Sequence, residues 1–282
     1  MQENRARCAL ITGASQGLGR ALAEECAGRG MDLVLAALPQ TGLADVARIL
    51  ARAYAVRIET IEADLTDPKT PPAIEARMRT KGYAVDTLIN NAGVGFTSRF
   101  AQSSEEQNEA TVQLNVVGLV RMTQQILPSL QRQRHAWILN VASLGAYFPM
   151  PSMPVYSSTK SFVLTFSQVL RAELRSSGIR VSVLCPNGIR TNRSTRELIA
   201  RQGWAGRVTC KYPDEVARAA VAGLFRGKAL IVPGAVNRAL VRASPLVPRG
   251  LYMSVIARRW GTAESPSGAL PPTAPRTAAA PA

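Results

Sequence analysis

Apolar residues in this chain fall into two kinds of run. Short runs at 8–12 (CALIT), 32–37 (DLVLAA), 57–62 (RIETIE), 86–92 (DTLINNA), 136–142 (AWILNVA), 180–185 (RVSVLC) and 229–234 (ALIVPG) read as strands. Several of them, LVLAA, WILNVA and VSVLC among them, are apolar at successive positions. An extended chain alternates its side chains between two faces, so such a strand is apolar on both and belongs inside a parallel sheet covered by helices. Between the strands, helical spacing predicts helices at 18–29, 42–54, 71–81, 105–131, 155–177 and 213–226. Strand–helix alternation from end to end implies right-handed crossovers and an α/β fold, a doubly wound parallel sheet of about seven strands with helices on both faces.

The pattern changes after residue 235. Residues 1–235 form the expected α/β domain. Residues 236–261 mix apolar and arginine residues at partly amphipathic spacing, and two readings stay open for them. One is a helix capping the core or a partner subunit, which is favoured; the other is peripheral contact with a membrane surface. Residues 262–282 are rich in Pro, Ala, Ser and Thr, with almost no bulky apolar side chains to offset the entropy of ordering, so a disordered tail is expected.

Composition narrows the function classes. The 282 residues are 46% hydrophobic, enough for a sizeable core. No run reaches the roughly 18 apolar residues of a membrane span, and the first ten residues lack the apolar stretch of a secretion signal. Cys8, Cys26, Cys185 and Cys210 are scattered, which suits a reducing, cytoplasmic setting better than a disulfide framework. The single histidine, His135, sits in a polar stretch and is expected at the surface, which leaves no basis for a metal site or a histidine-based triad. The net charge of +15 comes from dispersed Lys and Arg, and aromatics are only 5%. Without a recognisable reader element, that balance implies a solvated basic surface and no specific nucleic-acid partner.

Four stretches carry candidate chemistry. In ITGASQGLGRALAEECAGRG a strand turns into a helix through Gly13, Gly17 and Gly19. Such a turn lets the backbone approach a pyrophosphate and aims the N-terminus of the helix at it; the alternative is a turn needed only for tight packing. Asp64 and Leu65, in ADLTD, are expected to end the third strand where an adenine ring would lie, and NNAG at 90–93 ends the fourth strand with small residues. VYSSTKSF places Tyr156 one helical turn before Lys160, on one helix face. Tyr-x-x-x-Lys is common by chance, so the pair alone decides nothing.

Taken in order, TGASQGLG (12–19), NNAG (90–93), LNVVG with Asn115, VASLGAY with Ser143, YSSTK with Tyr156 and Lys160, and CPNGIRTN (185–192) resemble the short-chain dehydrogenase/reductase family across roughly residues 5–235. The resemblance implies a Rossmann-type domain, bound NAD(H) or NADP(H), and hydride transfer between a carbonyl and an alcohol. It assigns Tyr156 as acid/base, Lys160 as the group that holds the nicotinamide ribose and lowers the phenol's pKa, and Ser143 as the group that positions the substrate oxygen. Asn115 would anchor a proton-relay water. Cofactor contacts are expected from Gly13, Ser15, Gln16, Gly17, Leu18, Gly19, Leu38, Asp64, Leu65, Asn91, Ala92, Gly93, Tyr156, Lys160, Pro186, Ile189 and Thr191.

Two departures from the family pattern stand out. Asn187 follows Pro186 where the family usually has glycine. Leu38 stands where NAD users commonly place an acid and NADP users an arginine; the missing carboxylate and the basic surface favour NADP(H). Phe96, Phe100, Tyr147, Phe148, Met150, Met153 and Trp204 are read as an apolar pocket for a hydrophobic substrate, against the alternative that they only cover the core. A homodimer or homotetramer is expected through the helices at 105–131 and 155–177, as in family members. The competing readings are a non-catalytic dinucleotide-binding regulator on the same fold and a reductase held at a lipid surface.

Overall fold

The computed structural model describes residues 7–190, 208–247 and 250. Seven parallel strands form one sheet in the order β3-β2-β1-β4-β5-β6-β7. They are β1 (Cys8–Thr12), β2 (Asp32–Ala37), β3 (Ile58–Glu62), β4 (Thr87–Asn90), β5 (Ala136–Val141), β6 (Ile179–Leu184) and β7 (Leu230–Ile231). The helices are α1 (Gly17–Ala27), α2 (Leu43–Ala53), α3 (Thr70–Thr80), α4 (Glu105–Val112), α5 (Leu119–Gln131), α6 (Pro154–Glu173), α7 (Pro213–Phe225) and α8 (Ala235–Ala243). The expected tail at 262–282 lies outside the described residues, as does most of 236–261 beyond α8.

The strands are apolar on both faces because each face is covered. Ala9 and Ile11 of β1, Leu33 and Leu35 of β2, and Trp137 and Leu139 of β5 pack with α1, α2 and α7. Their sequence neighbours Leu10, Val34 and Ile138 point the other way and pack with α3, α5 and α6. The two-residue period thus fills both layers. A third cluster, which includes Val163, Val183, Cys185 and Val241, joins α6, β6 and α8.

The chain order places a switch point between β1 and β4. From β1 the chain winds outward through β2 and β3, then crosses to β4 on the other side of β1. Ligands of open α/β sheets bind in the crevice that such a reversal opens at the carboxyl ends of the strands. Beneath it, Asn90 donates to Thr123 Oγ1 and Asn140 Oδ1, both at 2.9 Å, and Asn140 donates to Ser167 Oγ at 2.9 Å. This buried polar chain locks β4, β5, α5 and α6 in one register under the site floor.

The expected single helix at 105–131 is divided. Between α4 and α5, Gln113–Gly118 form a π-helical turn, a feature often found where a helix serves a functional site. β3 stops at Glu62, so Asp64 and Leu65 lie in the following turn and do not end the strand as expected. Asp64 Oδ1 accepts from the backbone N–H and the hydroxyl of Thr66, at 2.9 and 2.8 Å. No helix among the described residues is long and apolar enough to cross a membrane.

Candidate active site

The glycine turn closes on β4. Gly13 has φ +66°, and a Cβ there would lie 2.9 Å from Ala92 Cα. A Cβ on Gly19 would collide with the Gly13 carbonyl, so side chains are excluded from both sides of the turn. Asn91 holds the two strand ends together: its side-chain amide donates to Thr12 O at 2.9 Å and Gly13 O at 3.2 Å. Its backbone N–H and that of Ala92 donate to Thr12 Oγ1, at 3.0 and 3.1 Å. The Asn91 side chain therefore shapes the cradle.

The first turn of α1 opens onto this cradle. Its N-cap Gln16 makes no side-chain capping bond, and the turn contains no acidic residue. The leading N–H groups and the positive end of the helix dipole are left for an anion. A dinucleotide pyrophosphate fits that arrangement, and Ser15, Gln16, Gly17 and Leu18 are the residues that would hold it. Arg20 is exposed on the helix flank. At the end of β2, Leu38 is partly buried and Gln40 turns the chain with φ 60°. The carbonyl of Leu38 accepts from Thr41 Oγ1 at 2.6 Å.

The catalytic candidates meet on the other side of the switch point. Ser143 follows β5, and its Oγ accepts from Gly145 N at 3.1 Å and shares a hydrogen bond with the Tyr156 phenol. Lys160 is buried, and its Nζ donates to Val141 O at 2.9 Å and lies 5.7 Å from the Tyr156 ring centroid. Asn115, buried in the π-helical turn, donates to Val94 O at 2.8 Å and Thr159 Oγ1 at 3.1 Å. Its Oδ1 accepts from Val94 N at 2.9 Å. Both side-chain N–H groups are thus committed, and Asn115 ties loop 93–95 to α6. Above it, a Cβ on Gly93 would lie 3.0 Å from Asn115 Oδ1 and 3.2 Å from Lys160 Nζ. All four sequence-designated residues therefore converge.

The electrostatics differ from the expected phenol–ammonium pair. Burial raises the pKa of Tyr156, and the Ser143 hydrogen bond opposes it. Burial lowers that of Lys160 to about 8. Desolvation, which penalises whichever form carries charge, outweighs the Ser143 hydrogen bond, and the phenol remains protonated. Close by, burial pushes the Cys185 thiol up to about 12, which rules it out as a thiolate nucleophile at neutral pH. All four cysteines are free and buried, and His135 is exposed. Among the described residues no cluster could hold a metal.

The remaining expected contacts are partly placed. The Pro186 carbonyl accepts from Leu144 N at 2.8 Å, and Ile189 pairs with Lys211 in an isolated bridge. Asn187 Oδ1 accepts from Gly188 N at 2.8 Å, so this side chain turns back on its own loop. Thr191 and Trp204 lie outside the described residues. Leu65 is buried among α3 and α5 residues. Phe96, Met153 and Tyr156 border one small cavity, while Tyr147 and Phe148 pack against the third core cluster. Phe100 is two-thirds exposed. A cavity of about 280 Å³ between α3 and α5 is lined by Met78, Tyr83 and Arg132, none of which belongs to the catalytic group.

Sequence reasoning missed Gly95. A Cβ there would lie 2.9 Å from Tyr156 Cε2 and closer still to Cδ2. The glycine lets loop 93–95 lie flat against the phenol ring.

The chain is similar to known proteins in both sequence and fold. Residues 7–201 match the family model of short chain dehydrogenases. A very-long-chain 3-oxoacyl-CoA reductase of Danio rerio is 34% identical over 182 residues, covering 63% of this chain and 56% of that protein. The chain thus spans less than two thirds of that relative's length. A short-chain dehydrogenase from Sphingobium yanoikuyae, solved with NADPH, is 32% identical with TM-score 0.70, covering 90% of this chain and 94% of that one. A short-chain dehydrogenase/reductase from Burkholderia phymatum, solved with NAD, is 28% identical with TM-score 0.74, covering 86% and 94%.

Proposed function

Because this chain belongs to the short-chain dehydrogenase family, we propose that it is an NAD(P)(H)-dependent oxidoreductase interconverting a carbonyl and an alcohol on a hydrophobic small molecule. The observation that carries this reading is the convergence of Ser143, Tyr156 and Lys160 beside an uncapped, glycine-lined helix N-terminus at the switch point.

The dinucleotide, when bound, supplies or takes up the hydride at the carbonyl carbon. The oxygen end of the reaction falls to the protein. Ser143 holds the substrate oxygen beside the phenol, and Tyr156, kept protonated by burial, donates its proton as negative charge develops on that oxygen. Lys160, with its pKa brought down to about 8, is placed to return a proton to the phenolate. Alcohol oxidation runs the same proton path backward and requires the phenolate, so it is favoured at alkaline pH.

NADP(H) is the preferred cofactor in this reading, since Leu38 offers the 2′-phosphate no repelling carboxylate. The relative from Danio rerio is named for a long acyl substrate; the apolar side chains of Phe96 and Met153, which border the same small cavity as Tyr156, suit a hydrophobic ketone here. Self-association would use α4 and α6, where Val112, Phe162 and Val169 are exposed and Phe162 stacks on Phe166 at 5.7 Å.

A panel of apolar and polar ketones, with NADPH and with NADH, tests the reading through loss of reduced-nicotinamide absorbance. Turnover of apolar ketones with NADPH is expected; dinucleotide binding without turnover of any ketone or alcohol would favour the regulator.

A further inference from the structure

The sequence left α8 with two readings, a cap on the core or a membrane contact. The inner face of α8 is indeed a cap. Val241 is buried in the third core cluster, and the buried Asn237 donates to Thr209 O and Pro233 O, both at 2.8 Å. The helix is therefore anchored, and its outer face is fixed toward solvent.

That outer face is apolar with a cationic border. Val236 is 43% exposed, Leu240 44% and Leu246 84%, with Ala239 and Ala243 exposed between them. At 100° per residue, Arg238 and Arg242 fall on the border opposite Val236 and Leu240. Arg238 reaches the Val232 carbonyl at 3.4 Å, and both arginines are exposed. The surrounding sequence strengthens the bias. From residue 226 to residue 263 there are seven Arg or Lys and no Asp or Glu, and 251–260 reads LYMSVIARRW.

We propose that the outer face of α8, with Leu246 beside it, docks on an anionic lipid surface. The apolar row would enter the headgroup boundary, while the arginines keep their stems along it and their guanidinium groups among lipid phosphates. A second copy of the chain suits this face less well, because it would bring one acid-free cationic segment against another. A nucleic acid would answer the charge and leave Leu240 and Leu246 in water.

Vesicle flotation of the full chain tests this independently of turnover, using neutral phosphatidylcholine vesicles and equimolar phosphatidylcholine–phosphatidylglycerol vesicles, at low and at 500 mM salt. The expected result is flotation with the anionic vesicles only, weakened at least tenfold by high salt and by the double substitution Leu240→Glu/Leu246→Glu. Arg242→Ser, with an unchanged thermal melt, is expected to weaken it about threefold. Three results would overturn the proposal: no flotation with anionic vesicles, flotation that the double substitution leaves intact, or a double variant that elutes as a smaller oligomer, which would assign the face to a second copy.

Discussion

Gly95 lies flat against the ring of Tyr156, where a Cβ would come within 2.9 Å of the ring carbon Cε2. The Tyr156 phenol is therefore held between its own helix and a loop that Asn115 pins through both backbone polar groups of Val94. In the proposed mechanism, the position of the proton donor depends on that loop as much as on Ser143 and Lys160.

Gly95→Ala should push the phenol or the loop aside. Misplacing a proton donor by about 1 Å is enough to cost on the order of 100-fold in rate. Steady-state kinetics with an apolar ketone should show a fall in kcat of at least tenfold, while fluorescence titration shows dinucleotide binding little changed.

Lys160 carries a stability cost because it is buried. Its pKa in the folded chain is about 8, below the ordinary 10.5, so between these values the unfolded chain binds more protons. Its contribution to stability therefore rises with pH through this window, and the cost is fully present below it. The shift corresponds to a cost on the order of 3 kcal/mol at pH 6.5. Lys160→Met should remove that dependence: urea midpoints at pH 6.5 and pH 10 should show the variant gaining on the native chain at the lower pH, with turnover lost at both.

Much of the fold was legible because central strands of a covered sheet need apolar side chains on both faces, and runs such as DLVLAA supply them. That Ser143, Tyr156 and Lys160 belong together was legible from six motifs in family order, since the Tyr–Lys spacing alone decided nothing. What escaped depends on three-dimensional context. The π-helical turn within 105–131 contains no proline, and its buried Asn115 stands between buried Thr111 and Thr123 on the same run, so nothing in the sequence singled the turn out. The contact of Gly95 with Tyr156 joins residues 61 positions apart. The direction of the phenol's shift could not be read either: spacing identified a neighbouring cation, but burial raises the pKa against the Ser143 hydrogen bond, and burial is a property of the folded chain.

Leu38 should set cofactor choice. Leu38→Asp places a carboxylate next to the 2′ position of the ribose, where it would repel a 2′-phosphate and accept from free hydroxyls. Competitive titration should find NADPH bound more tightly by the native chain, with the ratio moved at least tenfold, or 1.4 kcal/mol, toward NADH in the variant.

The proton-donor role of Tyr156 is tested most directly by Tyr156→Phe, assayed with NADPH and an apolar ketone at pH 7 beside a dinucleotide titration. Loss of at least about 100-fold in kcat is expected, with the dissociation constant of NADPH changed by less than about threefold, under 1 kcal/mol. A variant that binds dinucleotide normally and still reduces the ketone at the native rate would contradict the assignment.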